Sequence, residues 1–155
     1  AADSSPLYLH AKLGSPEGAA FSGSPALALG GYNFGTQKDV TNQNILYGLA
    51  AKNFGKAGRF SAGYYAGNKD LLIDENGDKA NTGLLLSWDR AISEISDKLW
   101  AAVDYQGGDS AMGALSFGAS WAVSPNTSVL LGYDLYNNEK IAGKDTYTVQ
   151  LDINF

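Results

Sequence analysis

The sequence predicts an all-β protein: an antiparallel, up-and-down β-barrel of about eight strands. Two observations predict this fold. Apolar and polar residues alternate over most of the chain, and the breaks between the alternating runs are alternately short and long. A period of two is typical of strands with one apolar and one polar face, and strands joined by direct connections are antiparallel neighbours. No linker interrupts the chain. We therefore expect one barrel domain, residues 25–155, after an N-terminal segment, residues 1–24.

The last strand, residues 146–155, shows the clearest alternation, with every odd position apolar and every even position polar. In the run 25–34, Tyr32 falls out of phase with Leu27 and Leu29, and Gly30-Gly31 predicts a bulge that corrects the phase. The other predicted strands are 44–54, 57–67, 82–91, 97–106, 112–123 and 127–136.

The first part of the chain is less regular. The run 44–54 places Ile45, Tyr47 and Leu49 on the apolar face and assigns Lys52 to the opposite, polar face. A short alternating run, residues 7–13, precedes all of these. It fits either a ninth strand or an N-terminal segment that lies across the barrel end or a neighbouring molecule.

The composition excludes several kinds of site. The chain has no Cys, so disulfides, thiolate metal sites and cysteine nucleophiles are absent. The one histidine, His10, leaves no Ser-His-Asp arrangement to argue for. A net charge of −5 argues against a nucleic-acid partner, which needs a basic face. We therefore predict neither an enzyme nor a cofactor or metal site.

The alternation is compatible with two kinds of β-barrel, which differ in the face that points inward. A soluble, lipocalin-like barrel points its apolar face inward, whereas a membrane barrel points it at lipid and its polar face at the lumen. No run approaches the roughly 18 apolar residues of a membrane helix. The small residues of the polar face, the long loops at one end and the banding of aromatic rings favour the membrane barrel. The predicted aromatic girdles are Tyr64, Tyr105 and Tyr133 at the long-loop end, and Phe60, Trp88, Trp121 and Phe155 at the short-turn end.

With its apolar face outward, the chain resembles the small outer-membrane β-barrels of Gram-negative bacteria, of the OmpA and OmpX type or a compact porin-like protein. The residues that carry the resemblance are the alternating apolar positions of the last strand, Tyr147, Val149, Leu151, Ile153 and Phe155. The resemblance implies a location in the bacterial outer membrane, with the lipid bilayer as a partner. It also implies that the insertion machinery of that membrane reads the strand ending in Phe155.

The same resemblance implies that the long loops are extracellular. These loops, 35–44, 68–81, 107–111 and 137–145, would carry contacts to a surface partner or to other copies of the chain. The N-terminus, which begins with small residues, has the look of the mature side of a removed secretory signal, and this also predicts an exported protein.

The predicted polar face carries a charge cluster toward the short-turn end: Lys52, Arg59, Asp89 and Asp152. Such a cluster is either a charged constriction that selects ions or a plug of mutually neutralising charges. We favour the plug, because an eight-stranded interior is only wide enough for side chains.

A second predicted group faces inward nearer the long loops: Tyr65, Asp104, Gln106, Asp134 and Tyr136. These residues would form either an acidic vestibule or a hydrogen-bonded network, and we favour the network. The barrel interior is then at most a narrow polar lumen.

One loop has a weak resemblance to a cation-binding loop. Asp74, Asn76 and Asp78 stand at alternate positions, as calcium ligands do, but Gly77 occupies the fourth place instead of the sixth. A hairpin tip that turns at Asn76-Gly77 is the favoured interpretation.

These observations predict an integral outer-membrane barrel with a structural or surface-interaction role. The alternatives are a diffusion porin that passes small solutes or ions, with an oligomer as one way to supply more strands, and a soluble lipocalin-like barrel that binds a ligand.

Overall fold

Nine β-strands dominate the structure, a computed structural model that describes residues 7–154. Two short helical turns, Gly55–Ala57 and α1 (Glu139–Ala142), lie between strands. In this range no helix has the length and hydropathy needed to span a membrane. The strands are β1 (Tyr8–Ser15), β2 (Ala26–Gly35), β3 (Asn42–Asn53), β4 (Arg59–Ala66), β5 (Thr82–Ala91), β6 (Leu99–Gln106), β7 (Ala114–Ser124), β8 (Thr127–Tyr136) and β9 (Thr146–Ile153).

Each strand pairs in antiparallel fashion with the next, so the strand order follows the chain. The predicted all-β, antiparallel architecture is confirmed. The run 7–13 belongs to a ninth strand, β1, which pairs with β2 through Lys12 opposite Gly30 and Leu13 opposite Leu29. Over residues 7–154 no pairing joins β1 to β9. The sheet is therefore open, with β1 and β9 as its two edges.

The strand register gathers large apolar side chains on one face. Phe117 lies between Val103 and Tyr133, and Leu131 pairs with Val149. These side chains are open to the surroundings, with exposed fractions of 42% for Phe117, 60% for Leu131 and 73% for Val149. Because the sheet bends away from this face, we call it the convex face.

Side-chain contacts show that the sheet curls toward its other face. The Gln106 amide nitrogen on β6 donates a hydrogen bond to the Tyr32 hydroxyl on β2, at 3.3 Å. In a flat sheet these strands would be about 19 Å apart, four spacings of about 4.8 Å. The face that carries Tyr32 and Gln106 is therefore concave. It is built largely of Gly, Ala, Ser and Asp.

A small apolar core lies on the concave face beneath the long loops. Ile45, Tyr65 and Leu72 are almost completely buried, and Leu85 and Met112 pack against them. Leu72 comes from the connection between β4 and β5, so this loop folds back into the concave space. The end of the concave face nearest the long loops is thereby filled with side chains.

The bulge predicted at Gly30-Gly31 lies elsewhere. The register shifts between Tyr32 and Phe34, where Asn33 has a φ of 55° and its backbone N–H donates to the His10 ring at 3.3 Å. Gly30 and Gly31 pair regularly, and Tyr32 belongs to the concave face. Glycine is needed at Gly30 for another reason: a Cβ there would lie 2.6 Å from the Tyr47 hydroxyl.

The faces of β3 are the reverse of the prediction. Tyr47 pairs with Tyr65 and Leu49 with Gly63, so the more apolar residues of β3 are on the concave face. The reason is local: Ile45 enters the core with Leu72. The convex positions of β3 are consequently Leu46, Gly48, Ala50 and Lys52.

Candidate functional site

Aromatic residues lie near both ends of the strands on the convex face. Phe60 pairs with Trp88 near the short turns, and Trp121 is near the short-turn end of β7. Tyr64, Tyr105 and Tyr133 lie toward the long-loop ends of their strands. Phe155 lies outside the described residues.

Two of these rings, Trp88 and Tyr133, form hydrogen bonds through their polar atoms to the connections at the nearer end of the strands. The Trp88 indole N–H donates to the Ala57 carbonyl in a short turn at 2.7 Å. The Tyr133 hydroxyl donates to the Asp145 carboxylate at the end of a long loop, at 3.1 Å. Each ring therefore keeps its apolar body on the convex face and its polar atom beside the connections.

The predicted charge cluster is only partly assembled. Arg59 and Asp89 are direct neighbours across β4 and β5 on the concave face. Asp152 shares that face but lies on the edge strand β9, where Gln150 donates to its carboxylate at 2.6 Å. The ion pairs within 4 Å in the described part of the chain are Lys38–Asp39, Arg90–Glu94 and Lys140–Glu75. The charged atoms of Arg59 and Asp89 are therefore more than 4 Å apart.

Lys52 does not belong to this cluster. It pairs with Phe60 and therefore lies on the convex face, opposite to the predicted position. The reversed phase of β3 explains the difference. The Lys52 ammonium donates to the backbone carbonyl of Gly23 in the connection between β1 and β2.

The second predicted group shares the concave face. Tyr65 donates to the Gly107 carbonyl at 2.8 Å. Asp134 accepts hydrogen bonds from Ser116 at 2.5 Å and from Thr148 at 3.1 Å. The Tyr136 and Thr146 hydroxyls are 3.2 Å apart.

Asp104 also lies on this face, opposite Ser87 on one side and Ser116 on the other. The side-chain hydrogen bonds of this group form two separate sets: Tyr32 with Gln106, between β2 and β6, and Asp134 with Ser116 and Thr148, across β7, β8 and β9.

The acidic loop forms a tight hairpin tip. The Asp74 carboxylate accepts from the backbone N–H groups of Asn76 at 2.8 Å and Asp78 at 2.9 Å. Gly77 has a φ of 85°, which suits glycine in a turn. Asp74 thus serves the turn itself. Among residues 7–154 no three acidic or histidine side chains gather as metal ligands would.

A contact between two long loops was missed by the sequence argument. The Lys140 ammonium donates to Glu75 at 3.0 Å, and the Asn138 amide also donates to this carboxylate. The hydrogen bond from Lys140, assisted by Asn138, holds the pKa of Glu75 below its usual range. The partners are 65 residues apart, so no local pattern could have revealed them.

The convex face contains a groove, which we call the convex groove, with a volume of about 490 Å³. Its floor is the directly paired Ala50 and Ala62. Its walls are almost entirely apolar, and Lys52 is at one end. The wall residues are Pro25, Phe60, Leu86, Trp88, Val103 and Tyr105.

The concave face has several separate cavities. One at the short-turn end, of about 660 Å³, is larger than the convex groove and is lined in part by Arg59, Asp89 and Trp100. Others are smaller. One, of about 360 Å³, is lined in part by Lys12, Arg59 and Asp89. Another, also of about 360 Å³, is lined in part by Asp104 and Met112. The chemistry of both is mixed polar and apolar.

Comparisons of the chain with protein-family models, curated proteins and solved structures find no match. The functional argument therefore depends on the faces, edges and grooves of this sheet.

Proposed function

We propose that this chain is an integral β-barrel protein of the bacterial outer membrane with a structural or surface-interaction role. One observation carries the proposal: in β7 the large apolar residues are more exposed than their polar neighbours. In β7, Phe117 and Trp121 are exposed, whereas Ser116 and Ser120 are partly buried. A continuous apolar surface across many strands is unfavourable in water and favourable against hydrocarbon.

The polar tips of the rings support the same proposal. Membrane interfaces favour rings whose apolar body faces lipid and whose polar atom reaches the wet boundary. Trp88 and Tyr133 meet this description at opposite ends of the strands.

The apolar core beneath the long loops favours a structural role over a diffusion porin. Leu72 and Met112 occupy the concave space beneath the long loops. Hydrogen bonds from Ser116 and Thr148 to Asp134 link β7, β8 and β9 on the same face. Single-channel recording in planar bilayers tests this part of the proposal. We expect no steady conductance, and stable conductance steps would favour the porin instead.

Membrane insertion requires that the edges of the sheet be paired, because unpaired backbone groups cost several kcal/mol each in hydrocarbon. Nine consecutive antiparallel strands make β1 and β9 run in the same direction. A seam between them would therefore be parallel, either within one chain or between copies.

Engineered cysteines test this seam, since the chain has no Cys of its own. Leu13 and Leu151 each lie two residues before the end of their edge strand. We expect Leu13→Cys with Leu151→Cys, or with Val149→Cys or Ile153→Cys to scan the register, to form a disulfide in vesicles. A monomeric product indicates closure by one chain, and a covalent dimer indicates a shared barrel. The control pair is Leu13→Cys with Leu131→Cys, and absence of a β1–β9 crosslink would contradict a closed barrel.

The membrane orientation is tested by two neighbouring substitutions on β9. Val149 is on the convex face and Gln150 on the concave face, and both are exposed. An arginine facing lipid near the bilayer midplane costs about 2–4 kcal/mol. We expect Val149→Arg to reduce insertion into lipid vesicles, measured as protection from protease, while Gln150→Arg inserts normally.

A soluble protein that keeps this convex face in water would give the opposite result. Exposed substitutions on a water-facing surface usually change stability by no more than about 0.5 kcal/mol. Val149→Arg would then be harmless, and the unmodified protein would stay monodisperse in water without detergent.

A further inference from the structure

The convex groove is a depression in the apolar convex face, separate from a second depression of about 430 Å³ beside Leu29, Gly31 and Leu46. Ala50 and Ala62 face each other across β3 and β4, and Leu86 pairs with Ala62 on the next strand. Two methyl side chains side by side leave a depression between the larger residues around them. Its volume of about 490 Å³ is in the range of small-molecule sites.

The end of the groove nearest the short turns carries a positive charge. Lys52 is the second-to-last residue of β3 and pairs with Phe60, one of the aromatic residues at the short-turn end. Within residues 7–154 its ammonium has no carboxylate within 4 Å, and its hydrogen bond goes to a backbone carbonyl. Arg90, the other cation on this face at this end, already pairs with Glu94.

We propose that the convex groove binds one phospholipid. The acyl chain lies over Ala50 and Ala62, and the phosphate lies against the Lys52 ammonium. In this placement the apolar acyl chain contacts the apolar groove and the phosphate contacts the Lys52 ammonium. The phosphate then lies level with the aromatic residues of the short-turn end, which mark the membrane interface. The inference rests on the proposed membrane location.

Tryptophan fluorescence provides a test, because Trp88 is in the groove wall and Trp121 is on the same face outside it. One variant keeps only Trp88 (Trp100→Phe, Trp121→Phe), and another keeps only Trp121 (Trp88→Phe, Trp100→Phe). Each is inserted into phosphatidylcholine vesicles that contain increasing amounts of acyl-brominated phosphatidylglycerol or acyl-brominated phosphatidylcholine.

We expect quenching of Trp88 to saturate at a low fraction of brominated lipid, with about a five-fold preference for the anionic lipid, as one nearby cation provides. Quenching of Trp121 should rise in proportion to the brominated fraction, without this preference. Lys52→Gln should remove the preference and Ala62→Phe should remove the saturation. The matched controls, Lys98→Gln in a short turn and Ala119→Phe on the convex face of β7, should change neither.

Equal quenching of the two tryptophans would overturn the groove site while leaving the membrane location intact, if protease protection shows insertion. Saturation that survives Ala62→Phe, or an anionic preference that survives Lys52→Gln, would also overturn it. A dimer in detergent, with Trp88 insensitive to brominated lipid, would show that a second copy covers the groove instead. Failure of the protein to insert would overturn the proposed function and this inference together.

Discussion

The two faces of the sheet are made by alternate residues of the same strands, yet they reverse the usual relation between polarity and burial. On the convex face, large apolar side chains such as Leu131 and Val149 are exposed. On the concave face, Ser, Gly and Asp residues are more enclosed and bond to one another. In soluble domains apolar residues are the ones most often buried. The comparison teaches that over most of this sheet the curl decides which side chains are covered, whatever their polarity.

The concave face is itself divided. Beneath the long loops it holds the apolar core of Ile45, Tyr65 and Leu72, whereas toward the short turns it holds Arg59 and Asp89. Ordinary core packing therefore operates only at one end. Three measurements sharpen the contrast between the faces and between these two ends.

The largest expected effect comes from the core under the long loops. Leu72 is 1% exposed, while its neighbour Ile73 is 36% exposed. We expect Leu72→Ala to lower the free energy of unfolding by about 2–5 kcal/mol, the usual cost of a cavity at a buried leucine. Ile73→Ala should have a much smaller effect. Urea denaturation in detergent micelles measures both, and equal effects would contradict the buried position of Leu72.

Two glycines of the concave face should respond differently to the same substitution. A Cβ at Gly63 would press directly against the Gly48 carbonyl oxygen and the Leu49 side chain, whereas the nearest atoms to a Cβ at Gly118 are 4.0 Å away. We expect Gly63→Ala to destabilise by about 1–3 kcal/mol, as overpacking does. Gly118→Ala should be neutral or stabilising by up to about 1 kcal/mol. Equal stabilities of the two variants in thermal unfolding would contradict the close approach of β3 and β4 at Gly63.

The smallest expected effect concerns the contact between the long loops. Because the pKa of Glu75 is lowered, the Lys140–Glu75 contact contributes stability above the ordinary carboxyl pKa and loses it as the pH falls through the lowered value. An NMR titration of the Glu75 carboxylate should give a midpoint below 4.5, the usual value. Lys140→Gln should raise that midpoint, and Lys144→Gln, in the same loop, should not. An unchanged midpoint in Lys140→Gln would contradict the contact.

The strands themselves were predictable because a period of two is a local property. The run 127–136 coincides with β8 and the run 82–91 with β5. The regular hairpin order followed from the connections. The partners of Leu72 and Glu75 were not predictable, since each is brought to its contact by a loop that folds back over the sheet.

The face of β3 shows where local reasoning failed. Counting apolar residues placed Ile45, Tyr47 and Leu49 outward, but the structure turns them inward. In a curled sheet, an inward apolar set is stable wherever a loop supplies a partner such as Leu72. The same error placed Lys52 on the wrong face, because a shift of one residue in phase moves every side chain of a strand to the other face.

By itself, then, the amino-acid order determined strands, their alternation and their sequential antiparallel pairing, since each depends on neighbours in the chain. Only the tertiary structure decided which side of β3 turns inward, that β1 and β9 are the sheet edges, and that Lys52 ends an apolar groove. Those features depend on curvature and on contacts between distant segments, whose energies no stretch of sequence contains alone.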